Sequence, residues 1–175
     1  MTVLVGLVYP LALTGFAQVV FPGRADGSLV KQDGKVVGSS LIGQSFEGRP
    51  EYFQSRPSAA GDGYDPLSSG ASNLGPESDD LMALIEERRA AAAALDGTDP
   101  ADVAPDALLA SGSGLDPQIS PRYAAQQVAR VARERGLTTA TVRALVGRYT
   151  DGRSLGFLGE PGVNVLLLNL ALDRL

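Results

Sequence analysis

The sequence predicts an α+β protein, with one N-terminal transmembrane helix followed by a single small extracytoplasmic domain of short strands and about three helices. Three observations predict it. The run Thr2–Pro22 carries no charged residue. Beyond Arg24, short apolar runs separated by Gly, Pro and Asp alternate with three stretches of helical periodicity, each with a start signal. The tail Val163–Leu170 is dense in apolar residues and suits a central strand. The expected division is a span over residues 2–22 and a domain over 23–175.

The first run contains eleven Val, Leu and Phe residues between Val3 and Phe21, and its polar side chains after Thr2 are Tyr9, Thr14 and Gln18. At about 1.5 Å per residue a helix of this length crosses a hydrocarbon core of roughly 30 Å. A cleaved signal peptide is the alternative, with Val3–Leu13 as its apolar core and Gly15-Phe16-Ala17 as its cleavage site. The missing basic n-region and the continuation of the run to Phe21 favour an uncleaved helix. Both readings send the rest of the chain across a membrane. Pro10, in mid-span, is expected to interrupt the intrahelical ladder.

Leu29-Val30 and Val36-Val37 flank Asp33-Gly34, a two-residue hairpin turn, and Ser39–Ile42 extends the second strand. Phe46–Pro76 is rich in Pro and Gly, yet it holds Phe46, Tyr52, Phe53 and Tyr64. Its reading is an ordered loop pinned by those rings. Ser78–Leu95 is a helix capped by Ser78 and stopped by Gly97, with Leu81, Leu84, Ile85, Ala91, Ala92 and Leu95 facing inward. Asp96–Asp106 is expected as an acidic surface loop, and Ala107–Ala110 as a short buried strand. Ser120 and Pro121 start a helix to about Arg135, with Ala124, Ala125, Val128, Val131 and Ala132 on its inner face. A further helix, capped by Thr139, turns Val142, Leu145, Val146 and Tyr149 inward, and Leu170–Leu175 adds a helical turn.

Composition narrows the chemistry. The net charge of −5 disfavours nucleic acid and anionic lipid as partners of the domain surface. With neither Cys nor His, the chain has no disulfide framework, no thiolate, and neither the commonest general base nor the commonest zinc ligand. Ser111-Gly112-Ser113-Gly114 before a helix resembles a phosphate loop, but it lacks the Lys-Ser/Thr ending and is followed by Asp116. It reads as a structural turn. Asp62, Asp65, Asp79, Asp80, Asp116 and Glu160 are scattered over loops and caps and read as solvated or turn-forming. No metal and no intrinsic cofactor is expected.

Five segments resemble one family closely: GSSLIGQ (38–44), YFQSRPSA (52–59), YDPLSSGASNLGP (64–76), ASGSGLDPQISP (110–121) and GFLGEPGVNVLLLNLALD (156–173). They are similar to the C chain of potassium-transporting Kdp ATPases, in order and over nearly the whole chain. The resemblance implies a single-pass subunit of the bacterial inner membrane with its C-terminal domain outside. It implies two partners, a channel-like potassium-selective subunit and a P-type ATPase subunit, and a role in assembly without catalysis. It also implies a catalytic-chaperone role that raises the ATP affinity of the ATPase subunit, with Gln127 as nucleotide contact. The alternative for Gln127 is a helix residue that hydrogen-bonds a loop or a partner. Arg130 and Arg133 lie three and six residues beyond it. Gly6, Pro10, Gly15 and Gln18 become expected contacts with partner helices, where small and polar residues let helices pack in lipid. Members of that family usually carry a longer N-terminus before the apolar run, and often a proline where this chain has Ala129.

Overall fold

Pro10 sets the form of the first helical stretch. The protein is described over residues 1–175 by a computed structural model. Helical backbone runs from Thr2 to Val20, but Leu4–Val8 is a π-helical turn, and regular α-helix holds only over Tyr9–Val20 (α1). Proline donates no hydrogen bond, and its ring clashes with the carbonyl four residues back. Widening the preceding turn, with the Tyr9 N–H donating to the carbonyl of Leu4, accommodates it. The Thr14 hydroxyl donates to the Pro10 carbonyl at 2.8 Å. No residue of Leu4–Val20 is buried. No helix of the protein is long and apolar enough to cross a membrane, and the interruption expected at Pro10 takes the form of the π turn before it. A short helix, Pro22–Ala25 (α2), follows.

The hairpin forms as expected. Leu29–Gln32 (β1) and Lys35–Ser39 (β2) pair antiparallel around Asp33-Gly34, with a bulge between Val30 and Lys31. Both turn residues have positive φ, +50° and +78°, matching the right-handed twist of the strands. The second strand ends at Ser39, short of Ile42. The chain divides into two compact units, Met1–Leu41 and Ile42–Leu175.

In the second unit, residues 42–78 contain no helix or strand, yet Phe46 and Phe53 are buried. The helix Asp79–Asp96 (α3) is capped by Ser78, whose Oγ accepts from the Leu81 N–H, and is stopped by Gly97 at φ +65°. Its inner face differs from expectation. Ala93 and Asp96 are buried, while Ala91 and Leu95 are exposed. The acidic surface loop is likewise corrected. Asp96 lies inside, Val103 and Ala104 are buried, and two 3₁₀ turns cover Pro100–Asp102 and Pro105–Ala107. Ala107 and Leu108 are buried but form no strand, because their N–H groups donate to the carbonyls of Ala104 and Pro105, both at 3.0 Å, in the 3₁₀ turn.

A three-stranded antiparallel sheet, ordered β3-β5-β4, consists of Gln118–Ile119 (β3), Thr150–Asp151 (β4) and Gly162–Asn164 (β5). Pro121–Glu134 (α4) starts at Ser120, as the Ser-Pro pair required. Ala125, expected inside, is exposed, and Gln127 and Arg130 take inner positions instead. Thr139–Arg148 (α5) is capped by Thr138 rather than Thr139. The apolar tail was expected as a strand through Leu170. It is a strand only to Asn164, and Val165–Leu172 is a helix (α6). A continuous apolar run suits a buried helix as well as a buried strand. The Asn164 side chain decides between them by accepting from the Leu167 N–H at 3.1 Å. The helices exceed the expected three, and the class remains α+β.

Candidate functional site

The second unit is organised by a buried polar cluster on α4. The start of that helix is fixed first. Asp106 accepts from the Ser120 N–H at 2.6 Å and from its hydroxyl at 2.9 Å, while Ser120 Oγ caps the Tyr123 N–H at 3.0 Å. Tyr123, Gln127 and Arg130 then fall at i, i+4 and i+7 and point inward among Ala124, Val128 and Val131. Gln127 and Arg130 are both 0 % exposed.

Gln127 does not face solvent. Its Oε1 accepts from the Gln54 N–H at 2.6 Å and from Arg130 Nη2 at 2.7 Å, and its Nε2 donates to the Gln54 carbonyl at 3.2 Å. One residue earlier the pattern repeats from another helix. Asn169 on α6 accepts from the Phe53 N–H at 2.9 Å and donates to the Phe53 carbonyl at 3.0 Å. Two side-chain amides thus take the place of a neighbouring strand for Phe53 and Gln54. Buried peptide groups require such partners.

Arg130 completes the cluster. Its Nε donates to Asp96 Oδ1 at 2.7 Å, and its Nη1 donates to the carbonyls of Tyr52, at 2.8 Å, and Pro50. Asp96 Oδ2 accepts from Gln126 Nε2 at 3.2 Å, and Gln126 Oε1 accepts from the Ala104 N–H at 3.0 Å. A buried ion pair is tolerable when its remaining donors and lone pairs are met by further bonds, as here. At the rim, the guanidinium carbons of Arg49 and Arg135 sit 4.0 and 4.5 Å from the centre of the Tyr52 ring. The Tyr52 hydroxyl and Arg135 Nη2 each donate to Asp173 Oδ1 at 2.8 Å.

The glycine-serine turn holds chain rather than anion. The Ser113 carbonyl accepts from the Gly70 N–H and from the Ser69 hydroxyl, both at 2.9 Å, and the Gly114 carbonyl accepts from the Ser58 hydroxyl at 2.6 Å. Gly114 has φ +68°, and a Cβ there would lie 2.7 Å from both the Ala60 nitrogen and the Gly70 carbonyl oxygen. Glycine is required on both counts. Asp116, read from sequence as solvated or turn-forming, accepts from the Gln118 N–H at 3.0 Å and pairs with Arg56 at 3.1 Å.

Beside this turn lies a cleft of about 360 Å³ lined by Gln54, Arg56, Tyr64 and Arg88 among others. Arg56 Nη2 donates to the Leu109 carbonyl at 3.3 Å, and Arg88 Nη1 to that of Leu108 at 2.8 Å. The Tyr64 hydroxyl donates to the Arg56 carbonyl at 2.6 Å, and burial raises its pKa above the ordinary value. Desolvation pushes the Tyr123 phenol up as well.

The expected site residues therefore fall in separate places. Gly6, Pro10, Gly15 and Gln18 are exposed on the first helical stretch, with open space at both glycines. Gln127 belongs to the second unit, inside. Its carboxamide is committed to Gln54 and Arg130, so a direct contact with ATP would require this clasp to open. Arg130 is no surface cation, and Arg133 is exposed and pairs with Glu134 at 3.0 Å. Sequence reasoning missed Asp96, Gln54 and Asn169. The available signal was polar residues on apolar helix faces, Asn169 within Val165–Leu172 above all.

The family described as K+-transporting ATPase, c chain, matches residues 1–174. A potassium-transporting ATPase KdpC subunit of Kineococcus radiotolerans is 67 % identical over 167 residues, covering 95 % of this chain and 84 % of that protein. One from Gemmatimonas aurantiaca is 56 % identical over 171 residues, covering 97 % and 85 %. One from Mycobacterium bovis is 51 % identical over 176 residues, covering 99 % and 92 %. With the family match running over residues 1–174 and relatives more than half identical over nearly the whole chain, the chain belongs to the KdpC family, the C chain of potassium-transporting ATPases.

Proposed function

We propose that the chain is a non-catalytic accessory subunit that stabilises the assembly of the pump's channel-like and P-type ATPase subunits at the bacterial inner membrane. In this reading Thr2–Pro22 is the anchor and Gly23–Leu175 lies on the outer side. The observation that carries it is the exposed apolar surface of the first stretch, where Val3, Leu4, Val5, Leu7, Val8 and Leu11 are each more than half exposed. Buried in lipid or against partner helices, such side chains are stabilised; in water they are not. The π turn and α1 act here as one rod from Thr2 to Val20, about 28 Å at 1.5 Å per residue. Gly6, Pro10, Gly15 and Gln18 supply its close contacts with partner helices.

Gln127 is in this reading a clasp of the outer domain, and any effect of its substitution on ATP affinity passes through the shape of that domain. Co-purification with the other subunits tests the anchor. Replacing Thr2–Pro22 by a polyleucine span should release the chain from the complex, and an intact complex would show that specific packing is not its role. Orientation is tested at Leu67, which is 95 % exposed. In a chain without cysteine, Leu67→Cys should react with a membrane-impermeant maleimide on intact spheroplasts. Labelling that requires lysis would place the domain on the inner side.

A further inference from the structure

The connection from β4 to β5 ends in a small apolar projection. Leu155, Phe157 and Leu158 are 83, 68 and 50 % exposed, and no polar side chain interrupts Leu155–Leu158. This tip is ordered by its own backbone. Ser154 and Leu158 exchange two N–H···O bonds of 2.9 Å, and the Gly156 and Phe157 N–H groups donate to the carbonyls of Arg153 and Ser154 at 3.1 and 3.3 Å. At the neck, Arg153 Nη2 donates to both oxygens of Glu160, at 2.8 and 2.7 Å. Its base is β4, paired with the central strand of the sheet.

Two features make this more than a loop with scattered apolar residues. Leu155 is held at φ +54°, a conformation in which a bulky side chain is strained. Such strain persists only where the surroundings over-determine it, and it gathers at sites of function. The bond network here fixes the backbone so that leucine and phenylalanine point outward, a cost with no return in the isolated chain. The charges flanking the tip also neutralise each other.

That neutrality selects the partner. Elements that insert into bilayers combine apolar side chains with free Lys or Arg for anionic headgroups. Arg153 is committed to Glu160, and a chain of net charge −5 is repelled by such a surface. A rigid, internally neutral, apolar projection instead suits a preformed apolar socket in protein. We infer that Leu155–Leu158 is a docking element that seats Leu155 and Phe157 in an apolar socket on another protein subunit of the potassium-transporting ATPase. The inference rests on the accessory-subunit reading above and names the surface that does the joining.

The test uses the full chain co-expressed with the pump's other subunits, with a photoreactive benzoylphenylalanine in place of Phe157. Irradiation should link the chain to one defined pump subunit. Leu155→Ser/Phe157→Ser should lower retention of the chain in the purified complex about tenfold or more, the loss expected when centrally buried anchors are removed, with unchanged melting of the chain alone. Leu155→Gly relieves the strain and should raise the melting temperature while still weakening the complex, a combination that a merely structural loop would not produce. Cross-links to lipid, or unchanged retention of the double variant, would overturn the docking element while leaving the accessory-subunit reading in place. Failure of the unmodified chain to co-purify at all would overturn both.

Discussion

Arg130 and Asp96 meet at 2.7 Å with side chains 0 % and 1 % exposed, which makes them the most enclosed ion pair of the protein. Removing one partner strands a charge that the interior cannot solvate. Arg130→Met also leaves the carbonyls of Pro50 and Tyr52 without this donor. It should lower unfolding stability by ~3–5 kcal/mol, read from denaturant midpoints at pH 7. Asp96→Leu combined with Arg130→Met should cost less than the sum of the two single changes. Additive losses would show that the pair is not coupled.

Gln127→Ala removes the partners of the Gln54 N–H and carbonyl, and Asn169→Ala does the same for Phe53. Each should cost about 2–4 kcal/mol, since two buried peptide groups lose their bonds and a cavity opens. Hydrogen exchange should locate the damage at the Phe53 and Gln54 amides. If Gln127→Ala lowered nucleotide response with full protection at Gln54, the clasp would not be its role.

Gly114→Ala meets both the +68° backbone and contacts of 2.7 Å with main-chain atoms. Neither neighbour is the free end of a side chain, so relaxation requires the Ala60 and Gly70 segments to move. A loss of ~2–4 kcal/mol is expected, combining positive-φ strain with overpacking. Gly112→Ala, with open space at its Cβ and no positive φ, is the matched control and should be close to neutral.

Alkaline pH should destabilise the protein through Tyr64 and Tyr123. Both phenols are raised above their ordinary value of 10.0, chiefly by burial. The unfolded chain releases these protons near pH ~10 while the folded chain keeps them. The folded state therefore binds more protons, and stability is full below that pH and falls as pH rises through the folded values. Urea unfolding between pH 8 and 11 should show the fall, and Tyr64→Phe/Tyr123→Phe should flatten it. An unchanged slope in the double variant would assign the alkaline limb elsewhere.

What was legible in the sequence was local. Asp33-Gly34 fixes a turn, Ser78 and Ser120-Pro121 fix helix starts, and each acts through bonds within a few residues. The tail was ambiguous because Val163–Leu170 satisfies a strand and a helix alike, and the outcome rests on one cap from Asn164. The polar cluster was illegible for another reason. Gln127 binds a residue 73 positions away, and Asn169 one that is 116 away. No periodicity records such pairings. Sequence spacing placed Arg130 only relative to Gln127; arginine is rarely buried without a partner, and its partner Asp96 lay in what looked like solvent-facing loop.

The two amide grips fall on adjacent residues, and this gives the domain a mechanical property. Phe53 is tied to α6 and Gln54 to α4, so a single peptide unit, about 3.8 Å between its Cα atoms, couples two helices that lie far apart in sequence. Neither helix can slide along its axis without tearing one of the grips. The irregular stretch between Ile42 and Pro76 therefore works as a cross-tie, and a pull applied at either helix is passed to the other without slack.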